Sequence, residues 1–354
     1  MTSDSGGPDE PDSTKGPGSE PAERQQPDDD AAPPPAGEPL PAGESLPPAG
    51  ERLPEPSGIA LPDWGHHDKA DYGRAGRDLR AATITGVLLG ASVVASLAFF
   101  RFGFILIMAA LTILATIELG QNFRRRGIRA SAIPIAVGTG CAVILPYLAP
   151  YVPSINGNGE RLDANAVLLG VLGLTAIVSL AWRMPRGSDG FLADASASLF
   201  LIVYVPLLGS FASLMLASDQ GVARVVTFIL VVVMSDMGGY VGGVLFGKHK
   251  LAPVISPKKS WEGLAGSVVF STTAAILMAI FGLQSPWWIG LILGPCLVVV
   301  GTLGDLVESL VKRDLGIKDM SNFLPGHGGV MDRLDSLLLA APVAWLIMYL
   351  LIPS

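Results

Sequence analysis

The chain has 354 residues, of which 50% are hydrophobic and 16% charged, with a mean hydropathy of +0.48. Soluble domains carry about 25% charged residues, so this composition is that of a membrane protein. The formal charge of -7 excludes a dominant basic face for nucleic acid, and two cysteines, Cys141 and Cys296, both in apolar runs, exclude a disulfide-built secreted domain.

The charge is unevenly spread. Residues 1–80 carry 7 basic and 17 acidic groups, and the remainder is net basic. Residues 1–62 hold 15 of the 28 prolines and three Pro-Ala-Gly-Glu repeats, starting at Pro35, Pro41 and Pro48. Such a segment lacks the apolar area to offset its ordering entropy. Residues 1–80 are therefore expected to be a disordered, acidic, proline-rich cytoplasmic tail and linker, and 81–354 a transmembrane domain. No basic start and apolar stretch of signal-peptide type occurs before residue 80. Trp64, His66 and His67 read as linker.

Nine apolar runs follow, at about 81–99, 102–119, 131–151, 164–182, 191–217, 222–246, 264–283, 286–304 and 335–352. None shows the two-residue alternation of a membrane barrel, so an all-α, polytopic membrane protein of about nine helices is predicted. Pro206 and Gly209 predict a kink in the fifth run. The sixth ends in glycines that can leave the bilayer early. With the N-terminus in the cytoplasm, the inside segments collect 17 Lys and Arg residues, and the outside segments only Arg101, Arg161 and Arg224. An odd span count then gives an N-in, C-out topology.

This topology places two long polar segments, from Ser235 to Glu262 and from Gly304 to Asp335, on the cytoplasmic side. Asp236 lies within the sixth apolar run, Asp305 ends the eighth, and Asp332 and Asp335 open the ninth. An ionisable group at membrane depth is costly, so four at one edge favour function over structural ion pairing. Carboxylates without histidine or cysteine companions suit a hard cation, and Mg²⁺ in particular beside phosphates. Lys258, Lys259, Lys312, Arg313 and Lys318 share these segments with Ser and Gly, a pattern suited to phosphate. For Gly238-Gly239 and Gly242-Gly243, close helix packing and ligand contact fit equally well. The loop Gly326-His327-Gly328-Gly329, after Pro325, presents a histidine or bare backbone to a ligand. No Walker A or HExxH pattern occurs.

Residues 309–335, Ser-Leu-Val-Lys-Arg-Asp-Leu-Gly-Ile-Lys-Asp-Met-Ser-Asn-Phe-Leu-Pro-Gly-His-Gly-Gly-Val-Met-Asp-Arg-Leu-Asp, resemble the signature of the phosphatidate cytidylyltransferases. Ser-Asp-Met-Gly-Gly-Tyr from Ser235 and Ser-Pro-Lys-Lys-Ser-Trp-Glu-Gly from Ser256 resemble the same family. Met237 and Gly239 depart from its usual Thr and Ala. The resemblance covers about residues 80–352 and leaves the tail out. It implies the reaction of CTP with phosphatidate to give CDP-diacylglycerol and pyrophosphate at the cell membrane, in phospholipid biosynthesis. It also implies a divalent-metal centre on Asp305 and Asp332, with Mg²⁺ and a further cation such as K⁺. Asp236 and Asp335 would orient ligands. Lys312, Arg313, Lys318 and Arg333 would hold phosphate, with Ser256, Lys258, Lys259 and Ser260 as the opposite wall and His327 on phosphate or cytidine. A homodimer is implied as well.

Two other readings remain from the residues. A CTP-dependent polyprenol kinase would use similar parts but transfer the γ-phosphoryl group. A secondary transporter would carry its charges at mid-span and show inverted repeats.

Overall fold

A computed structural model describes residues 79–154, 161–253, 255–321, 323 and 328–352. The expected tail, with its repeats and histidines, lies outside the described residues, as does His327. The described chain is a helical bundle with one small hairpin. Its elements are α1 (Leu79–Phe99), α2 (Arg101–Arg125), α3 (Ala132–Leu148), α4 (Ala164–Arg183), α5 (Phe191–Ile202), α6 (Leu208–Ala217) and α7 (Gly221–Phe246). Strands β1 (Lys250–Ala252) and β2 (Ser256–Ser260) pair antiparallel, and α8 (Trp261–Leu277), α9 (Trp287–Asp314) and α10 (Met331–Leu351) follow.

Each apolar run becomes one rod. By length and composition, 8 helical stretches can cross a membrane. Helix α1 adds a ninth rod of 21 residues, whose described apolar stretch is Gly86–Phe99. The fifth run is one rod made of α5 and α6. They are joined by a π-helical turn, Val203–Leu207, that contains Pro206. Proline has no N–H for the ladder, and the widened turn absorbs that loss within a continuous rod. Helix α7 stays helical through the glycines of the sixth run, to Phe246.

The largest differences from the apolar runs are at the site. Helix α9 continues ten residues past its run, and α10 begins four residues before its own. Leu315 and Gly316 then stop α9. Gly316 has φ +67°, its N–H donates to the Arg313 carbonyl at 3.0 Å, and the Ile317 N–H to the Lys312 carbonyl at 2.9 Å. This is a Schellman ending, which needs a residue without a Cβ penalty at positive φ.

Two arginines outside the basic side have structural work. Arg224 donates to the carbonyls of Asp219 at 3.0 Å and Met348 at 2.9 Å, so it ties the turn before α7 to the end of α10. Arg161 donates to the Pro150 carbonyl at 2.6 Å. At the other end, Arg126 Nε donates to the Leu315 carbonyl at 2.8 Å, and Asn122 to that of Met320 at 2.9 Å. The basic end of α2 and the segment between α9 and α10 therefore share one end of the bundle.

Candidate active site

Helices α7 and α8 pack backbone to backbone. A Cβ at Gly238 would lie 2.4 Å from the carbonyl oxygen of Gly266, and one at Gly242 would lie 2.8 Å from that of Glu262. Close packing thus accounts for these two glycines. Gly239 and Gly243 also line a polar cavity of about 310 Å³ beside the helix pair.

The cavity brings together much of the expected site. Asp236 and Tyr240 of α7, Ser256, Lys258, Lys259 and Ser260 of β2, and Asp305 of α9 all line it. The Lys259 ammonium donates to Asp305, which ties the hairpin to α9. Ser260 has a second task. Its Oγ accepts the Gly263 N–H at 3.1 Å and caps α8. In the first turn of α8, Glu262 meets His249 Nδ1 at 2.6 Å and accepts the Lys248 N–H at 3.1 Å. The hairpin is therefore anchored to the helix that follows it.

Helices α9 and α10 supply the remaining charge. They approach closely at Gly304, where a Cβ would lie 2.5 Å from the Asp335 carbonyl oxygen. Asp305 follows this contact, which brings it within electrostatic range of Asp335 and Asp236. Further along α9, Lys312 reaches both Glu308 and Asp332, with 2.9 Å to Asp332 Oδ1. Asp332 also accepts the N–H groups of Gly329 at 2.8 Å and Met320 at 3.2 Å. The aspartate thus holds together the end of the loop and the start of α10. Five carboxylates, Asp236, Asp305, Glu308, Asp332 and Asp335, share this region with Lys259, Lys312 and Arg333.

Two residues of this network were not among the sequence candidates. Glu308 is 1% exposed, and its Oε1 has no hydrogen-bond partner among the described residues. Its spacing from Asp305 and Lys312, three and four residues, is the one-face pattern of a helix that continues past the apolar run. Glu118 of α2 is the other. It accepts from the Ser321 hydroxyl and, at 2.8 Å, from the Met331 N–H. It is an acidic residue inside an apolar run, which is itself a functional signal. Arg313 and Lys318 are exposed near the end of α9 and do not line the polar cavity. Among the described residues, no group of three or more His, Cys, Asp or Glu is arranged to hold a metal ion.

Residues 80–351 match the model of the cytidylyltransferase family. The chain belongs to that family. The phosphatidate cytidylyltransferase of Mycobacterium bovis (strain ATCC BAA-935 / AF2122/97) is 42% identical over 291 residues, covering 78% of this chain and 90% of the relative. That of Mycobacterium leprae (strain TN) is 42% identical over 294 residues, with the same shares. A phosphatidate cytidylyltransferase of Staphylococcus epidermidis (strain ATCC 12228 / FDA PCI 1200) is 31% identical over 242 residues, 68% of this chain and 89% of the relative. The cytidylyltransferase match contains every residue of the network above and leaves out the acidic tail.

Proposed function

We propose that the protein transfers the cytidylyl group of CTP to phosphatidate, releasing pyrophosphate and leaving CDP-diacylglycerol in the membrane. The observation that carries this reading is the polar cavity, which joins Lys258, Lys259 and Ser256 to Asp236 and Asp305 in a chain of the cytidylyltransferase family. The names of the relatives supply the lipid.

A phosphate oxygen of phosphatidate attacks the α-phosphorus of CTP. A new phosphorus–oxygen bond forms, the bond from the α-phosphorus to the bridging oxygen breaks, and pyrophosphate leaves with the electron pair. Two anions must meet, so the barrier is largely electrostatic. No nucleophile from the chain is needed. Lys258 and Lys259 hold the triphosphate from the hairpin wall. Ser256 donates its hydroxyl to a phosphate oxygen. Lys312 keeps Glu308 and Asp332 in place. Arg333 faces the lipid phosphate.

As they stand, no three carboxylates of the described residues are gathered around one point, but their excess of negative charge suits a hard divalent cation. Five carboxylates exceed the three nearby cations, and the buried Glu308 Oε1 lacks a partner among the described residues. We propose that Asp305 and Asp332 hold Mg²⁺, with Glu308, Asp236 and Asp335 around them. Lys259 and Lys312 occupy positions on Asp305 and Asp332 where positive charge is needed. The ion, when bound, supplies Lewis-acid neutralisation of phosphate charge. A second cation such as K⁺, and assembly as a homodimer, belong to the same proposal.

The site is proposed to face the cytoplasm, with the N-terminus inside and the C-terminus outside the cell membrane. Support comes from the basic residues gathered at the site's end of the bundle, and from the structural tasks of Arg161 and Arg224 at the other. The test of function is turnover by the purified protein in detergent with CTP, phosphatidate and Mg²⁺, read as CDP-lipid and pyrophosphate.

A further inference from the structure

Two buried polar atoms beside the carboxylate network have no hydrogen-bond partner among the described residues. One is Glu308 Oε1. The other is the hydroxyl of Tyr204, a residue only 4% exposed. The charges of Glu308, Asp335 and Asp305 all act on Tyr204, that of Glu308 most strongly.

The ring of Tyr204 is well fixed. It stacks on Phe200 with centroids 5.1 Å apart, and it belongs to the buried cluster that contains Leu119 of α2 and Leu334 and Leu338 of α10. Tyr204 lies in the π-helical turn Val203–Leu207, a kind of turn often found at functional sites. Pro206 accounts for the turn, but it does not account for a hydroxyl at this place. Phenylalanine would fill the same cluster without burying a polar group, and a buried hydroxyl without a partner costs stability. Buried tyrosine hydroxyls ordinarily find one. Around Tyr204 acceptors are in excess, because five carboxylates share the region with three cations.

We infer that Tyr204 is a positioning residue for the carboxylate centre: its hydroxyl donates, through one buried water, to the Glu308 oxygen that Lys312 does not hold. Such a water accepts from Tyr204 and donates to Glu308 Oε1, with Asp335 as the acceptor for its second proton, which gives it the three partners usual for buried water. Glu308 is then held on both oxygens, Oε2 by Lys312 and Oε1 from the side of Tyr204. A carboxylate oxygen has two lone-pair sites, so this link leaves Oε1 able to face a cation as well. The Tyr204 hydroxyl is too deeply buried to touch substrate, so it acts through Glu308. Outer donors of this kind orient the groups around a metal. The inference rests on the proposed metal centre and adds the residue that keeps one of its carboxylates in place.

Tyr204→Phe removes the hydroxyl and keeps the ring, so the cluster stays filled. The full-length wild type and variant are compared by thermal unfolding in the same detergent without CTP or lipid, first in EDTA and then across a Mg²⁺ titration. In EDTA the variant is expected to unfold on the order of 5 °C lower, the scale of losing a hydrogen bond to a charged group. Removing a hydroxyl without a partner would have the opposite sign, so an equal or higher unfolding temperature overturns the link. Across the titration the variant should need on the order of tenfold more Mg²⁺ for half of its thermal rise. An unchanged midpoint overturns the positioning role. In a Glu308→Met background, Tyr204→Phe should change neither quantity further, and a shift as large as that in the wild type overturns Glu308 as the partner. A wild type that does not respond to Mg²⁺ overturns the proposed metal centre instead, while the comparison in EDTA still decides the link between Tyr204 and Glu308.

Discussion

Lys312 of α9 lies 2.9 Å from Asp332 of α10 and also contacts Glu308, one turn back on its own helix. One ammonium thus holds two carboxylates that are 1% and 9% exposed at their side chains. Removing it leaves buried charge without compensation, which costs about 3–5 kcal/mol. Lys312→Ala should therefore lower the unfolding temperature in detergent as well as activity. Glu308→Gln combined with Lys312→Met removes opposite charges together. That pair should regain most of the stability while turnover stays low. Equal recovery of both would show that Lys312 serves the fold alone.

Asp332→Asn keeps the size of the side chain but removes its charge. Insertion into membranes should persist, because the apolar rods are untouched. Mg²⁺-dependent turnover should fall by about 100-fold or more, the scale of losing one electrostatic group at a reacting phosphate. Normal turnover in this variant would sink the metal assignment to Asp332.

Glu118 fastens the start of α10 from a distant helix. Glu118→Ala leaves the Met331 N–H and the Ser321 hydroxyl without their acceptor, at a cost of about 1–3 kcal/mol for each buried group. The expected result is a raised KM for CTP or lipid, with partial rescue by Glu118→Gln, which keeps one acceptor oxygen. A Cβ at Gly329 would lie 2.4 Å from Glu118 Oε1. Gly329→Ala should therefore be harmful alone and milder when combined with Glu118→Ala. Additive losses in the double variant would contradict the steric account.

The rods were legible because a membrane span announces itself by an uninterrupted apolar run. The polar continuation of α9 was not, because apolar runs stop where charge begins, while the backbone ladder can continue. Glu308 was lost with it, although its helical spacing from Asp305 and Lys312 was present in the sequence. Asp236, Lys258, Lys259 and Asp305 stand out in the sequence as charge at a membrane edge, and one cavity brings them together. Their pairing was not readable. That Lys259 meets Asp305 depends on how the hairpin folds back, which glycine contacts between α7 and α8 decide. Glu118 is not legible from the sequence, because it stands alone in its run and its partners, Ser321 and Met331, come from a far later part of the chain.

Topology can be read by labelling. In a variant free of Cys141 and Cys296, Lys258→Cys should react with an impermeant maleimide only from the cytoplasmic side. Gln284→Cys, in the exposed turn between α8 and α9, should react only from the opposite side. Labelling of both from one side would contradict the proposed arrangement of α8 as a span.

The most direct measurement follows phosphorus from CTP into the lipid. Purified protein in detergent is given phosphatidate, Mg²⁺ and CTP labelled at either the α- or the γ-phosphorus. Label from the α-position should enter the lipid, and label from the γ-position should appear in pyrophosphate. Entry of γ-label into the lipid, with none from the α-position, would contradict cytidylyl transfer and identify a kinase instead.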